Sequence, residues 1–376
     1  MAPAARTVAA VAGTRPPAAG PGPGAVARVM ICDDSATIRG AIARMLESDP
    51  AIRVVARVAD GQQALDMLKR ETVDVVVLDI EMPVMDGLTA LPLLLRADPG
   101  LRVIMASTLT TRGADVALRA LRLGAADYVP KPSAAMVAGD DRFRRELIEK
   151  VRGLARLRQR AQQTATAAPR APAAALKLRP QPAQMPALLA LGSSTGGPQA
   201  LFTLVQGLGK DLPVPVVATQ HMPASFTTIL AQHIDKLGGM PCAEAKDGEP
   251  LKPGRIYLAP GDHHLLVAGN AGALRAQLSK DPPENFCRPA VDPMLRSATQ
   301  ATGGRTLLVM LTGMGADGLL GTRALVAAGG GAIAQDEATS VVWGMPGAIA
   351  QDGLCQAVLP LAGLAGKVHQ ILRIRR

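Results

Sequence analysis

Short apolar runs that end in a polar group, separated by segments of helical spacing, recur along most of this chain. From Val26 to Val129 there are five. Val26–Cys32 ends in Asp33-Asp34, Val75–Leu78 in Asp79, Val103–Ala106 in Ser107-Thr108, and Tyr128–Val129 leads into Lys131-Pro132; Ile52–Val58 is the other run. Ser35 stands where it can cap a helix over Thr37–Leu46, and Gly61 opens an amphipathic segment carrying Ala64, Leu65 and Leu68. Strand and helix in strict alternation predict a doubly wound parallel sheet, (βα)5. Such sheets bind ligands outside the carboxyl ends of their strands. Here those ends carry carboxylates, a hydroxyl and an ammonium. Clustered carboxylates suit a hard divalent cation such as Mg²⁺. Metal, ammonium and hydroxyl together can neutralise a phosphoryl group arriving at an aspartate.

At 376 residues the chain is long enough for two domains. Residues 1–25, rich in Ala, Pro and Gly, read as a disordered extension without the continuous apolar core of a secretory signal. The chain carries a net charge of +10, but Arg142–Pro180 alone holds eleven Lys/Arg against two Glu. The excess is therefore a basic helix (Arg142–Arg160) and a linker, and the nearly neutral remainder offers no groove for tracking phosphates. Aromatic content of 2% also argues against base stacking. No apolar run reaches the roughly 18 residues that span a membrane. Four scattered cysteines without a Cys-x-x-Cys pair indicate reduced thiols and a cytoplasmic location. Ala161–Pro186 lacks apolar periodicity and reads as a flexible tether. The resulting division is 26–150, a linker over 151–186, and a second domain over 187–376.

That second domain begins another β-α series. Its strand candidates are Leu188–Leu191, Val214–Thr219, Arg255–Ala259, Leu265–Ala268, Leu274–Leu278, Thr306–Leu311, Ala332–Gln335 and Gln356–Leu359. Hairpin-like spacing at Gly269–Gly272 makes the sheet mainly parallel with an antiparallel insertion. The first run passes through Gly192-Ser-Ser-Thr-Gly196, a Gly-x-Ser-x-Gly pattern that can present Ser194 as a nucleophile between strand and helix. The same pattern also suits a simple anion-binding turn.

An activated serine needs a base and an orienting carboxylate. Of five histidines, His369 is expected at the surface, His233 lies in a helical stretch, and His263 and His264 lie in a turn. His221 follows the strand Val214–Thr219, on the same sheet edge as Ser194 if the strands are parallel. Thr306–Leu311 runs into a loop holding Asp317, which can orient that base. The loop has a rival reading, since Gly313-x-Gly315-x-x-Gly318 matches a dinucleotide fingerprint, with Asp336 ending the next strand. Against it, Asp317 would put a carboxylate where a pyrophosphate belongs. A second alternative is a regulator whose second domain only binds a partner.

Residues 26 to about 150 resemble a response-regulator receiver domain. The marks are Asp33-Asp34, Asp79 with Met82-Pro83 and Asp86-Gly87, Ser107, Tyr128 and Lys131-Pro132. The resemblance implies Asp79 as phospho-acceptor and Mg²⁺ held by Asp34, Asp79 and the Glu81 carbonyl, with Asp33 orienting the metal shell. It also implies Ser107 and Lys131 as sensors of the phosphoryl group and Tyr128 as a rotamer switch. The second domain resembles the methylesterase domain of chemotaxis protein-glutamate methylesterases. That likeness rests on Gly192–Gly197, Gln220–Pro223, Arg255–Gly261, Arg288–Asp292, Leu311–Gly318 and Ala334–Thr339. At Cys287 and Pro293 the chain departs from the expected pattern of His-like and apolar residues. The resemblance implies hydrolysis of glutamyl methyl esters on chemoreceptors, deamidation of receptor glutamines, and a chemotaxis histidine kinase as phospho-donor. Ser194 would be nucleophile, His221 base, Asp317 its orienting partner, and the Thr195 and Met314 backbones the oxyanion donors, with no cofactor for the ester step. A receiver tethered to such a site would cover it until Asp79 is phosphorylated.

Overall fold

The computed structural model describes residues 26–107, 110–131, 141–164, 176–182 and 184–374. The N-terminal extension and much of the tether lie outside these. The first unit alternates β1 (Ala27–Cys32), α1 (Ala36–Glu47), β2 (Ile52–Val58), α2 (Gly61–Leu68), β3 (Val75–Asp79), α3 (Gly87–Ala97), β4 (Arg102–Ser107), α4 (Thr111–Arg122) and β5 (Asp127–Pro130). Its five strands are parallel in the order β2-β1-β3-β4-β5. Ser35 caps α1 by accepting the Ile38 N–H at 3.4 Å. All five strands were legible because each interior one is apolar on both faces, as burial under helices requires.

Helix α5 (Asp141–Thr164) continues past residue 150, and its Phe143, Leu147, Val151, Leu154 and Ala155 enter the buried cluster of β1, β3 and β4. Two of its cations are not solvated. Lys150 is buried between Asp127 (3.3 Å) and Glu146 (3.1 Å), and Arg158 between Asp74 (3.3 Å) and Asp98 (2.7 Å). The charge run that reads as a solvated face is thus partly an internal clamp.

The second unit runs β6 (Leu188–Ser193), α6 (Gly197–Leu208), β7 (Val216–Gln220), α7 (Ala224–Asp235), β8 (Cys242–Glu244), β9 (Ile256–Leu258), β10 (His264–Asn270), β11 (Ala273–Ser279), α8 (Val291–Thr302), β12 (Thr306–Met310), α9 (Leu319–Ala327), β13 (Gly331–Gln335), α10 (Met345–Gln351), β14 (Ala357–Leu359) and α11 (Leu361–Ile371). The large sheet is parallel, in the order β14-β13-β12-β6-β7-β9-β8; β10 and β11 form the antiparallel insertion. All eight expected strands are present. The three-residue edge strand β8 is too short to leave a periodic signal. The chain starts at β6, winds outward through β7, and returns to the other side of β6 as β12. The switch point, where such sheets bind ligands, therefore lies at the end of β6.

The two units pack face to face. Val341 and Val342 join the receiver's buried cluster, and Arg156 and Arg160 reach Glu337 at 3.3 and 3.0 Å. Gly153 is a point of closest approach, since a Cβ there would lie 2.1 Å from the Val341 carbonyl oxygen. Alanine favours the helix by roughly 1 kcal/mol over glycine. Gly153→Ala is therefore expected to keep α5 helical while loosening the units, giving faster hydrogen exchange at the 340–344 amides with unchanged far-UV circular dichroism. Unchanged exchange there would contradict this packing.

Candidate functional site

Ser194, His221 and Asp317 follow three adjacent parallel strands, β6, β7 and β12. Backbone bonds tie these ends together: His221 N–H donates to the Ser193 carbonyl (3.1 Å), and Ser194 N–H to the Thr312 carbonyl (3.0 Å). The buried Ser193 hydroxyl donates to Gln220 Oε1 (2.7 Å), while Gln220 Nε2 donates to the Ser194 carbonyl (2.9 Å). The loop after β12 presses on the Ser194 turn so closely that a Cβ at Gly313 would lie 2.9 Å from Ser194 Cβ.

The Asp317 carboxylate is the fixed point. His221 Nε2 lies 2.7 Å from its Oδ2, which also accepts the Val291 N–H at 2.6 Å; Oδ1 accepts the Asp292 N–H (3.1 Å) and Asn285 Nδ2 (3.0 Å). Val291 and Asp292 open α8, whose own N-cap, Ala290, offers no side-chain cap. Asp317 thus sits where the unpaired amides and dipole of a helix N-terminus favour an anion. Burial raises its pKa, but the His221 contact and these amides outweigh that and hold it below the ordinary carboxylate range. Asp292, buried beside it, is raised by desolvation. It is tied in by the Gly321 N–H (2.6 Å) and by Asn285 Nδ2 (3.1 Å). Every acceptor of Asp317 is used, and its carboxylate stands in the loop where the dinucleotide reading needs a pyrophosphate, which argues against that reading.

With Nε2 on a carboxylate, the hydrogen-bond network assigns the proton of neutral His221 to Nε2, leaving Nδ1 as its basic nitrogen. Nδ1 faces Cys287 Sγ at 3.4 Å. Among the described residues Ser194 Oγ has no hydrogen-bond partner, so His221 and Asp317 are paired while Ser194 stands beside them unpaired. Neither the Thr195 N–H nor the Met314 N–H has a protein acceptor among the described residues, which leaves both available to an oxyanion. Sequence reasoning missed Asn285 and the α8 amides, and saw Cys287 only as a departure from pattern. Three of the other histidines are structural: His369 is buried, not at the surface, with Nε2 on the Leu208 carbonyl (2.9 Å), and His264 accepts the Ala290 N–H (3.2 Å). His233 is buried against Asp115 of the receiver at 3.2 Å.

In the receiver, the carboxylates of Asp33, Asp34 and Asp79 offer oxygens within 4.8 Å of one another. Lys131 Nζ lies 2.6 Å from Asp79 Oδ2 and 3.5 Å from Asp33 Oδ2. Asp33 Oδ2 is buried with no hydrogen bond and only the longer Lys131 ion contact, and such an oxygen in an acidic cluster fits a cation site. Desolvation raises the Asp79 pKa against the lowering by Lys131. The Glu81 N–H faces Asp79 Oδ1 at 3.4 Å. Ser107, also at this edge, turns its hydroxyl to the Gly113 carbonyl (2.7 Å) instead of Asp79.

Receiver and catalytic edge meet directly. The Tyr128 ring is buried and stacks on Phe226 of α7, with centroids 4.5 Å apart. Asp127 Oδ2 accepts the N–H of Gly196, two residues after Ser194, at 3.0 Å. Gly196 is the N-cap of α6, held at φ 73° without a side-chain cap of its own, so a receiver carboxylate caps the helix behind the Ser194 turn. A cleft of about 1170 Å³ runs between the units, lined by Tyr128 and Phe143 on one side and Ser194, His221 and Asp317 on the other.

Burial alone would lower the His221 pKa, but hydrogen bonding to Asp317 and then to Cys287 raises it to about 10. The charged imidazole therefore contributes stability that is fully present below its unfolded pKa of roughly 6.5 and is lost as pH rises through about 10. Asp317, shifted down, contributes above its unfolded pKa and loses this as pH falls through its lower folded value. Cys287→Ala removes one raising contact, so the His221 midpoint followed by imidazole NMR is expected to move to lower pH. An unchanged or higher midpoint would contradict the assigned contact.

Residues 29–138 match the family model of the response regulator receiver domain, and residues 189–368 that of the CheB methylesterase. The protein-glutamate methylesterase/protein-glutamine glutaminase of group 2 operon from Rhodospirillum centenum is 55% identical over 369 residues, covering 92% of this chain and 93% of its own. The protein-glutamate methylesterase/protein-glutamine glutaminase of Azospirillum brasilense is 56% identical over 353 residues, covering 89% and 90%. Among solved structures, the Thermotoga maritima CheB methylesterase catalytic domain is 39% identical, covering 50% of this chain and 100% of its own, with a TM-score of 0.48. Both domains match in this order and more than half of the aligned positions are identical, so the chain belongs to the CheB family of protein-glutamate methylesterases/protein-glutamine glutaminases.

Proposed function

We propose that this enzyme hydrolyses γ-glutamyl methyl esters on chemoreceptors and deamidates receptor glutamines, with Ser194 as nucleophile and with activity set by phosphorylation of Asp79. One observation carries the reading: Ser194, His221 and Asp317 stand at the ends of three neighbouring strands on one cleft, with His221 Nε2 2.7 Å from Asp317 Oδ2. Ser194 Oγ attacks the ester carbonyl carbon as His221 Nδ1 takes its proton. The oxyanion forms against the Thr195 and Met314 N–H groups, each typically worth about 3 kcal/mol. As the tetrahedral intermediate collapses, His221 returns the proton to the departing oxygen, releasing methanol and leaving an acyl-Ser194 ester. Water, deprotonated by His221, then attacks that ester, and collapse frees the glutamate carboxylate and Ser194. With a glutamine substrate the leaving group is ammonia. Asp317 stabilises the imidazolium throughout. For His221 to serve Ser194, the ring must be neutral and its Nδ1 must leave Cys287 Sγ, a contact that itself raises the ring's pKa; hydrogen bonds to Ser194 of this kind often tighten only with substrate bound.

In the receiver, Asp33, Asp34, Asp79 and the Glu81 carbonyl would hold Mg²⁺, whose charge would offset that of the phosphoryl group. Lys131 would follow the new oxygens, with Ser107 and Tyr128 as further sensors. Tyr128 stacks on Phe226 and neighbouring Asp127 bonds the nucleophile turn, so a change at β5 reaches the catalytic unit through two contacts. The receiver then acts as a cover that phosphorylation releases. A chemotaxis histidine kinase is the phospho-donor. Among the described residues no helix is long and apolar enough to cross a membrane, which accords with work on the receptors' cytoplasmic portions.

Ser194→Ala is expected to lower methanol release from a methylated receptor fragment by at least about 10³-fold while leaving the melting temperature unchanged. Mass spectrometry of the wild type should trap an acyl adduct on Ser194. Release unaffected by the substitution would sink the serine mechanism.

A further inference from the structure

The chain has four phenylalanines, and Phe286 is 85% exposed, the most exposed aromatic among the described residues. It occupies a costly backbone position. Glu284 and Cys287 exchange both backbone bonds (3.1 and 2.8 Å), closing a two-residue hairpin turn around Asn285 and Phe286. Both central residues lie in the left-handed region, with φ 52° and 63°. A two-residue turn with positive φ at both centres favours Asn at the first and Gly at the second. Asn285 fits that preference; Phe286 stands where glycine would be unstrained. Strain of this kind persists where surrounding structure over-determines it, most often at functional sites. The clamps are on either side: Asn285 donates to Asp317 and Asp292, Cys287 contacts His221, and Glu284 pairs with Arg296. An exposed ring gives the fold little packing in return. It is nevertheless carried one residue from a contact of Asp317 and one from a contact of His221, on the wall of the cleft that holds Ser194.

We propose that Phe286 is a substrate-docking residue, which lays its ring against apolar side chains of the receptor segment flanking the reacting glutamyl ester. The inference rests on the reading of Ser194 given above. It commits to the receptor polypeptide as occupant because the turn is continuous with the catalytic groups and its ring faces the cleft the ester must enter. Binding would bury a phenylalanine that is now in water, which corresponds to roughly a 10- to 100-fold gain in affinity.

The test uses the full chain with Mg²⁺ and acetyl phosphate as phosphoryl donor, and follows methanol release from a methylated receptor fragment. Phe286→Gly is expected to raise KM tenfold or more with kcat within about twofold, at an unchanged or higher melting temperature, and Phe286→Leu to restore part of the loss. An unchanged KM would overturn the proposal. So would a fall in kcat at constant KM, which would make the turn a support for Asn285 and Cys287. Faster release by Phe286→Gly without the donor would overturn it too, by assigning the ring to holding the receiver. Ser194→Ala, measured in parallel, separates the two claims: if that variant still releases methanol, the serine reading fails while the KM comparison stands on its own.

Discussion

The catalytic edge depends on one buried carboxylate. Asp317 collects two amides from the start of α8, the Asn285 amide and the His221 ring, so a single anion ends a helix, anchors a turn and fixes an imidazole. A buried anion is tolerable only when paired and hydrogen-bonded, and here all of its partners come from three separate segments. That is why α8, the turn at Asn285 and the loop after β12 must fold together for the site to exist. The carboxylate also acts on His221: contact with an ionised partner favours the imidazolium over the neutral ring.

The receiver adds a second constraint on the same edge. Asp127 closes the N-terminus of α6 from another domain, and Tyr128 stacks beside it on α7. Lys150 holds Asp127 from behind, donating also to the Tyr128 carbonyl at 2.6 Å. Two of the residues read as reporters of phosphorylation, Tyr128 and Lys131, thus lie in or just after the strand that touches the Ser194 turn. The proposed coupling between the domains would need no long path, only that β5 has two arrangements.

The fold was legible because parallel strands buried on both faces write continuous apolar runs, and four of the five receiver runs end at a residue with chemistry. His221 and Asp317 could be placed on one edge with Ser194 by assuming that their strands run parallel, and β6, β7 and β12 do. Geometry finer than a strand end was not legible. Nothing in the sequence says which ring nitrogen of His221 meets Asp317, or that Cys287 takes the other, because both depend on how a loop some 66 residues away folds back. Asn285 could have been noticed as the first residue of an Asn-x turn, but its bonds to two aspartates are tertiary. The basic helix misled for a related reason: charge counting cannot separate Lys150 and Arg158, buried in ion pairs, from their solvated neighbours.

The central claim is that this is an ester hydrolase whose cleft is covered by its own receiver. It is tested most directly by methanol release from a methylated receptor fragment, measured on the full chain with Mg²⁺ before and after adding a small phosphoryl donor. The account predicts release in both states, faster after the donor, with the acceleration absent in Asp79→Asn. Equal rates with and without the donor, or no release in either state from a folded chain, would contradict it.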